Sequence, residues 1–232
     1  MKAVILAGGR GTRFGELTHT IPKPLIQVAG KSLILRILEV LPPKITECII
    51  VLGHLGEQIK TAIGRQYKNL GIQYVWQVEG GTGGALLSAQ NMLSRDDKFL
   101  VAGSDDIFGK GELDKLISKR PTYGIYYGVP TGSSTGQVVF DQNDIFQDLD
   151  SVKDLKVPRY FGVGAYVFPY DFFSYPLCRL ANGELSIPHS LSRMNFKIKV
   201  VRIQNWWPVN NIEEKNIAER HLALFDSSIK VN

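Results

Sequence analysis

The 232-residue chain has only two cysteines, Cys48 and Cys178. Neither lies in a Cys-x-x-Cys pair, and two are too few for a disulfide framework, so a stapled secreted scaffold is excluded. Cys48, inside the apolar run "ECIIVLG", reads as a buried free thiol. Long apolar runs are missing as well. None approaches the roughly 20 residues that cross a bilayer, and the apolar segment after Met1 and Lys2 is too short for a secretory leader. A cytoplasmic protein without membrane contact is expected. Dense basic clusters are also scarce, the tightest being "SKR" at 118–120. Nucleic-acid binders concentrate such clusters and interleave them with exposed aromatics, so no nucleic-acid partner is expected. Two familiar phosphate loops fail too. A dinucleotide fingerprint counted from Gly9 and Gly11 needs glycine where Phe14 stands, and the second strand ends in Gly53 and His54, with no acid for a ribose hydroxyl. A P-loop ending in "GKS" at 30–32 needs its first glycine where Leu25 stands.

What is present is an ordinary core and a net positive charge. Hydrophobic residues make up 44% of the chain, and the formal charge is +5. That balance favours an anionic ligand. "KAVILA", "ECIIVLG", "GIQYVWQ" and "KFLVAGSDD" read as strands. "KSLILRILEVL", "LGEQIKTAIGRQY" and "TGGALLSAQNML" read as the helices between them. Strands alternating with helices imply parallel βαβ units. The fold class is therefore α/β, a Rossmann-like, mostly parallel sheet flanked by helices. This regular half is expected to end near residue 118. From 119 to 225 the pattern is mixed. "TYGIYYGVP", "GQVVFD", "YFGVGAYVF" and "KIKVVRI" are strand-like, and helices are expected at about 186–194 and over "IEEKNIAERHLAL". Residues 1–225 are read as one domain of two halves, and 226–232 as a tail.

The opening loop carries the chemistry. "LAGGRGTRFGELTHTIPKPL" (6–25) follows the first strand, and ligands of open α/β sheets bind outside the carboxyl ends of their strands. Gly8, Gly9 and Gly11 let successive backbone N–H groups turn toward an anion. Arg13 adds a planar donor fork for phosphate oxygens. Lys23 stands between two prolines that restrict the backbone on either side, which aims its ammonium.

The stretch "LAGGRGTRFGELTHTIPKPLIQVAGKS" resembles the signature of the sugar-1-phosphate nucleotidyltransferases, departing from it at Ser32 where the family has proline. The resemblance implies that the loop from Leu6 and Ala7 through Gly8, Gly9, Gly11 and Thr12 binds a nucleoside triphosphate. It also implies that Arg13 supports the leaving pyrophosphate and that Lys23 acts at the reacting phosphate. "WQVEGGTGGAL" (76–86) is similar to the family's base-binding segment, one residue shorter, and nominates Gln77, Gly81 and Thr82. A glutamine amide offers an acceptor beside a donor, as the imide edge of uracil or thymine requires. "LVAGSDDIFG" is similar to the segment whose aspartate binds Mg²⁺. It nominates Asp105 as the metal ligand, with Asp106 available to the metal or the sugar, and places Ser104 where the family has glycine. "FGVGAYVF" and "NGELSIPHSL" are similar to the sugar side and nominate Gly164 and Glu184, with His189 where aspartate is common. The family's Glu-Lys-Pro lysine has no clean counterpart, Lys153 being nearest. In "WWPVNNIEEKNIAE", Pro208 stands where many members carry a second metal aspartate. Val209, Asn210 and Asn211 match the Val-Asn-Asn of the N-acetylglucosamine-1-phosphate uridylyltransferases, so Asn210 is nominated at the metal.

These readings imply a nucleotidyl transfer from an NTP, UTP or dTTP favoured, to a sugar 1-phosphate, with Mg²⁺ as cofactor and a monomer or homodimer as the assembly. A cytidylyl- or guanylyltransferase on the same fold is the enzymatic alternative. A non-catalytic regulatory homologue is the other, motivated by Pro208 and Ser104.

Overall fold

A computed structural model of the chain describes residues 1–130, 136–152, 154 and 156–228, the last six by backbone alone. Lys153 and the last four residues of the expected tail lie outside the described residues. The first apolar run forms β1 (Lys2–Ala7). It is central because it is apolar on both faces: Ala3, Val4, Ile5 and Ala7 are all buried. Ala3, Ile5 and Ala7 join one hydrophobic cluster with Ile50, Leu52, Leu100 and Ala102. Val4 joins the opposite one with Ile49, Val51, Val101 and Phe168. Alternating side chains thus build a core on each side of the sheet.

The elements follow as α1 (Leu33–Glu39), β2 (Glu47–Leu52), α2 (Gly56–Ile63), β3 (Leu70–Trp76), α3 (Gly81–Ser88) and β4 (Lys98–Gly103). β1 pairs in parallel with β2 and β4, and β2 in parallel with β3. In this register Ala7 lies opposite Leu52, Leu52 opposite Trp76, and Leu6 opposite Gly103. The chain therefore leaves all four strands at one edge of the sheet. The next residues are Gly8, Gly53, Gln77 and Ser104. Three stretches that look unrelated in sequence converge because four strands end level.

The second half continues the same sheet. β5 (Asp106–Phe108) precedes β6 (Thr122–Gly128), β7 (Gly136–Phe140), β8 (Phe146–Ser151) and β9 (Arg159–Pro169). A short hairpin, β10 (Cys178–Arg179) and β11 (Leu185–Ser186), leads to β12 (Lys199–Arg202), β13 (Trp206–Pro208) and α4 (Ile212–Ser228). β9 pairs antiparallel with β4 and with β6, and β12 runs parallel to β6. The eight-stranded sheet has the order β12-β6-β9-β4-β1-β2-β3, closed at the far edge by the two-residue strand Gln66–Tyr67. β5 and β13 form a separate antiparallel ribbon that sets Pro208 opposite Asp106.

Three sequence expectations shift. The helix expected through Tyr67 stops at Ile63, where the N–H of Gly64 returns to Lys60 O at 3.0 Å, and Gln66–Tyr67 pairs with β3 as an edge strand. The helix expected at 186–194 is a 3₁₀ stretch, Pro188–Arg193, with a proline in its first turn. β8, absent from the sequence reading, pairs with β7.

Candidate active site

The glycine loop is held from within. Thr18 Oγ1 donates to Gly11 O and Gly15 O, each at 3.1 Å, and Phe14 N donates to Gly11 O at 2.9 Å. Phe14 is buried with Ile26, Val28, Leu33, Ile107 and Val209, so a small apolar cluster anchors the loop beneath its exposed residues Gly9, Thr12 and Arg13. Leu6 O accepts from both Ser104 N (3.1 Å) and Ser104 Oγ (2.9 Å). The serine that replaces the expected glycine is thus a strap between β1 and the loop after β4.

Lys23 starts a 3₁₀ turn, Lys23–Leu25, and is 9% exposed. Its Nζ donates to Asp105 Oδ2 at 2.7 Å and to Asn210 Oδ1 at 3.2 Å. Asn210 is positioned from its own side: its N–H donates to Glu214 Oε2 at 2.7 Å, while Val209 N donates to Asp105 O at 3.0 Å. Residues more than 180 positions apart are thereby brought to one ammonium. Arg13, Asp105, Asp106, Gly164, Trp206 and Asn210 all line a cavity of about 220 Å³.

Asp106 is buried in that wall. Burial and the adjacent Asp105 charge push its carboxyl well above the usual carboxylate range, with Lys23 pulling the other way. The Trp206 indole N–H lies near enough to lower it somewhat, yet meets no acceptor at hydrogen-bond geometry.

A second group forms around Gly80 and Gly81. Gln77 Nε2 donates to Glu79 O at 2.7 Å and to Gly81 O at 3.3 Å, so its amide N–H groups are committed to its own turn. Its Oε1 lies against Gly8, where a Cβ would stand 2.1 Å away and would displace the amide. Gly81 has φ +82°, and a Cβ there would stand 2.3 Å from Leu185 O. That close approach lets the β10–β11 hairpin dock on the start of α3. Leu185 N donates to Gly80 O at 3.0 Å, Ile187 N donates to Thr82 Oγ1 at 3.0 Å, and Arg179 pairs with Glu79. Glu184 rides on this hairpin, exposed, and accepts from Asn182 Nδ2 at 3.1 Å.

Beyond Leu6 and Ala7, which end β1, and the loop residues Gly8, Gly9, Gly11 and Thr12, the nominated residues fall into two groups. Arg13, Lys23, Asp105, Asp106, Gly164 and Asn210 meet around one cavity. Gln77, Gly81, Thr82 and Glu184 meet at the hairpin contact, joined to the first group where Gln77 touches Gly8.

The Nucleotidyl transferase family profile matches residues 2–206. The chain belongs to that family. It is 28% identical over 213 residues to a "Bifunctional protein GlmU" of Methanococcus maripaludis, covering 89% of this chain and 50% of the relative. It is 36% identical over 110 residues to a mannose-1-phosphate guanyltransferase of Neurospora crassa, covering 45% of this chain and 30% of that protein. The chain thus spans about half the length of the first of these curated relatives. A solved UDP-glucose pyrophosphorylase complexed with UDP-glucose superposes with a TM-score of 0.83 at 18% identity, covering 96% of this chain and 98% of that one. At that identity the likeness establishes the nucleotidyltransferase fold.

One residue of the site went unnoticed in the sequence. Glu214 is 5% exposed, and its Oε1 is buried without a hydrogen-bond partner. The signal was there: Asn211 and Glu214 stand three apart before an apolar run, the spacing of a capping box, and Glu214 N does donate to Asn211 Oδ1 at 2.8 Å. Trp206, whose place in the sequence suggests core or rim packing, lines the cavity. Only the β5–β13 pairing reveals that.

Proposed function

We propose that the chain transfers a nucleotidyl group from an NTP to a sugar 1-phosphate. An oxygen of the sugar phosphate attacks the α-phosphorus, the bond between that phosphorus and its β-bridging oxygen breaks, and pyrophosphate leaves with the electron pair. The acceptor is already an anion, so no side chain need serve as nucleophile or base. The residues instead align the groups and offset charge. Arg13 would face the pyrophosphate, Lys23 the reacting phosphate, and Glu184 the sugar hydroxyls. Asp105 and Asn210 present hard oxygens to a common point, which suits Mg²⁺. Bound there, Mg²⁺ would neutralise phosphate charge. Among the described residues no group of three or more His, Cys, Asp or Glu side chains forms a metal cage. That fits a cation that takes its remaining ligands from the substrate and water.

The observation that carries this reading is the meeting of Lys23, Asp105 and Asn210 beside Arg13 at the carboxyl ends of the parallel strands. UTP or dTTP is favoured. Gln77 Oε1, its N–H groups being engaged, is an acceptor for the imide N–H of uracil or thymine. Guanine also offers a ring N–H, so the same acceptor favours a guanylyltransferase as the second reading. Pyrophosphate release, measured for four NTPs against a panel of sugar 1-phosphates, tests both. Turnover with UTP or dTTP is expected. Turnover confined to GTP selects the second reading, and none with any pair defeats both.

A further inference from the structure

The two proposed metal ligands share one partner. Lys23 Nζ is 2.7 Å from Asp105 Oδ2 and 3.2 Å from Asn210 Oδ1. The backbones that carry these side chains are tied in place, through Val209 N to Asp105 O at 3.0 Å and through Asn210 N to the Glu214 carboxylate at 2.7 Å. The two oxygens are thus presented to one cation, the ammonium that bonds both. We infer that the Lys23 ammonium holds both oxygens as an internal cation, so that Lys23 and a divalent cation exclude one another until substrate phosphates draw the lysine away. The inference rests on the reading of Asp105 and Asn210 as metal ligands.

The exclusion follows from size and charge. Mg²⁺ binds oxygens at roughly 2.0–2.1 Å. A cation at that distance from both oxygens would crowd an ammonium bonded to the same pair, with three positive charges concentrated there. Among the described residues Lys23 Nζ makes no other hydrogen bond: it is 9% exposed, and the Phe14 ring beneath it, 6.0 Å from Nζ, offers only a weak cation–π contact. A triphosphate supplies several anionic oxygens that accept strong charge-assisted bonds from an ammonium. Nucleotide and metal would then bind with positive coupling, and that coupling is reciprocal. The metal site would stay closed to free cations and open only when the anion it must neutralise arrives.

Direct binding of Mn²⁺ to the nucleotide-free protein, read as loss of the free-ion electron paramagnetic resonance signal, tests this without turnover. Lys23→Met keeps the apolar stem and removes the ammonium. Lys23→Gln runs in parallel in case that variant misfolds, as judged by circular dichroism. Arg13→Gln removes a cation from the same cavity that has no bond to Asp105. Weak binding by wild type is expected, with binding about tenfold or more tighter for the Lys23 variants, within the usual range of coupling between sites, and nearly unchanged binding for Arg13→Gln. Equal tightening by the Arg13 and Lys23 variants would reduce the effect to net charge and overturn the inference. So would unchanged binding in both Lys23 variants. Adding Asp105→Asn to Lys23→Met should abolish the gained binding. If it does not, the ligand assignment itself fails. Failure of the NTP screen leaves the Mn²⁺ result standing, so the two readings fail separately.

Discussion

At the residue scale the site is a set of charges held by short, polar contacts. Lys23 is nearly buried, whereas the Asp105 side chain is 39% exposed. Changes at Asp105 should therefore report on chemistry before folding. Asp105→Asn is expected to abolish turnover while leaving the circular dichroism spectrum and melting temperature near wild type. Retained activity in that variant, with loss in Asp106→Asn, would move the ligand one residue along the chain. Lys23→Ala is expected to lower kcat by roughly two to three orders of magnitude, the scale set by loss of one preorganised electrostatic donor. Lys23→Arg should restore little, because a planar fork does not replace a compact ammonium. Gln77→Ala removes the single acceptor left on that side chain. It should weaken the preferred NTP by about 1–3 kcal/mol, the cost of an unpaired buried polar partner. Unchanged NTP preference would make Gln77 a brace for its turn.

At the element scale two small pieces carry the site. The first is the β5–β13 ribbon, which sets Pro208 and Asn210 beside Asp105 and Asp106. Its outer end is tied by Glu112, 2% exposed, which accepts from Gln204 N, from Asn205 N and Nδ2, and from Lys115 Nζ. Burial raises the Glu112 carboxyl, but these donors outweigh it and hold the group below the usual carboxylate range. A lowered pKa means that the stabilisation is complete above the unfolded carboxyl value and is lost as pH falls through the folded one. Glu112→Gln should cost about 1–3 kcal/mol near pH 7, for the buried donors it leaves poorly paired. Urea unfolding from pH 7 to pH 3 should show that difference shrinking at the acid end. A constant difference would mean that the charge is not what matters. The second piece is the β10–β11 hairpin on α3. The Glu79–Arg179 pair is exposed and adds little stability by itself. The fit at Gly81 is what docks the hairpin. Glu184→Ala should raise KM for the sugar phosphate and spare NTP, whereas an equal loss for both would assign Glu184 to docking.

At the scale of the whole molecule, one sheet edge gathers the ends of β1, β2, β3 and β4, and β9 adds Gly164 from the antiparallel side. The chain carries a net charge of +5, the sign that suits the two anionic substrates proposed for it. Exposed charges are screened over about 10 Å at 0.1 M salt. Initial rates measured across a salt series should therefore show KM for NTP rising several-fold between about 50 mM and 500 mM salt, with kcat changing less, since Lys23 is shielded and Arg13 is not. A salt-independent KM would remove long-range steering from the account. No helix among the described residues is long and apolar enough to cross a membrane.

Local sequence determined what is local. "KAVILA" had to be a two-faced buried strand. The glycines and the Pro-Lys-Pro turn had to make an irregular loop, and the alternation of apolar strands and amphipathic helices had to give a parallel sheet. Arg13, Lys23, Asp105 and Asn210 stood out because their segments resemble the family's motifs, and the fold brings them to one place. What tertiary structure decided were the distances. No pattern within one segment states that Lys23 lies 2.7 Å from Asp105 and 3.2 Å from Asn210, because strand register and the β5–β13 pairing create those contacts. Nor does it state that Gln77 spends its N–H groups on its own turn, that Glu214 holds Asn210, or that the second half extends the first half's sheet. Propensity and periodicity act over a few residues, whereas pairing across the sheet is settled by the packing of the whole core.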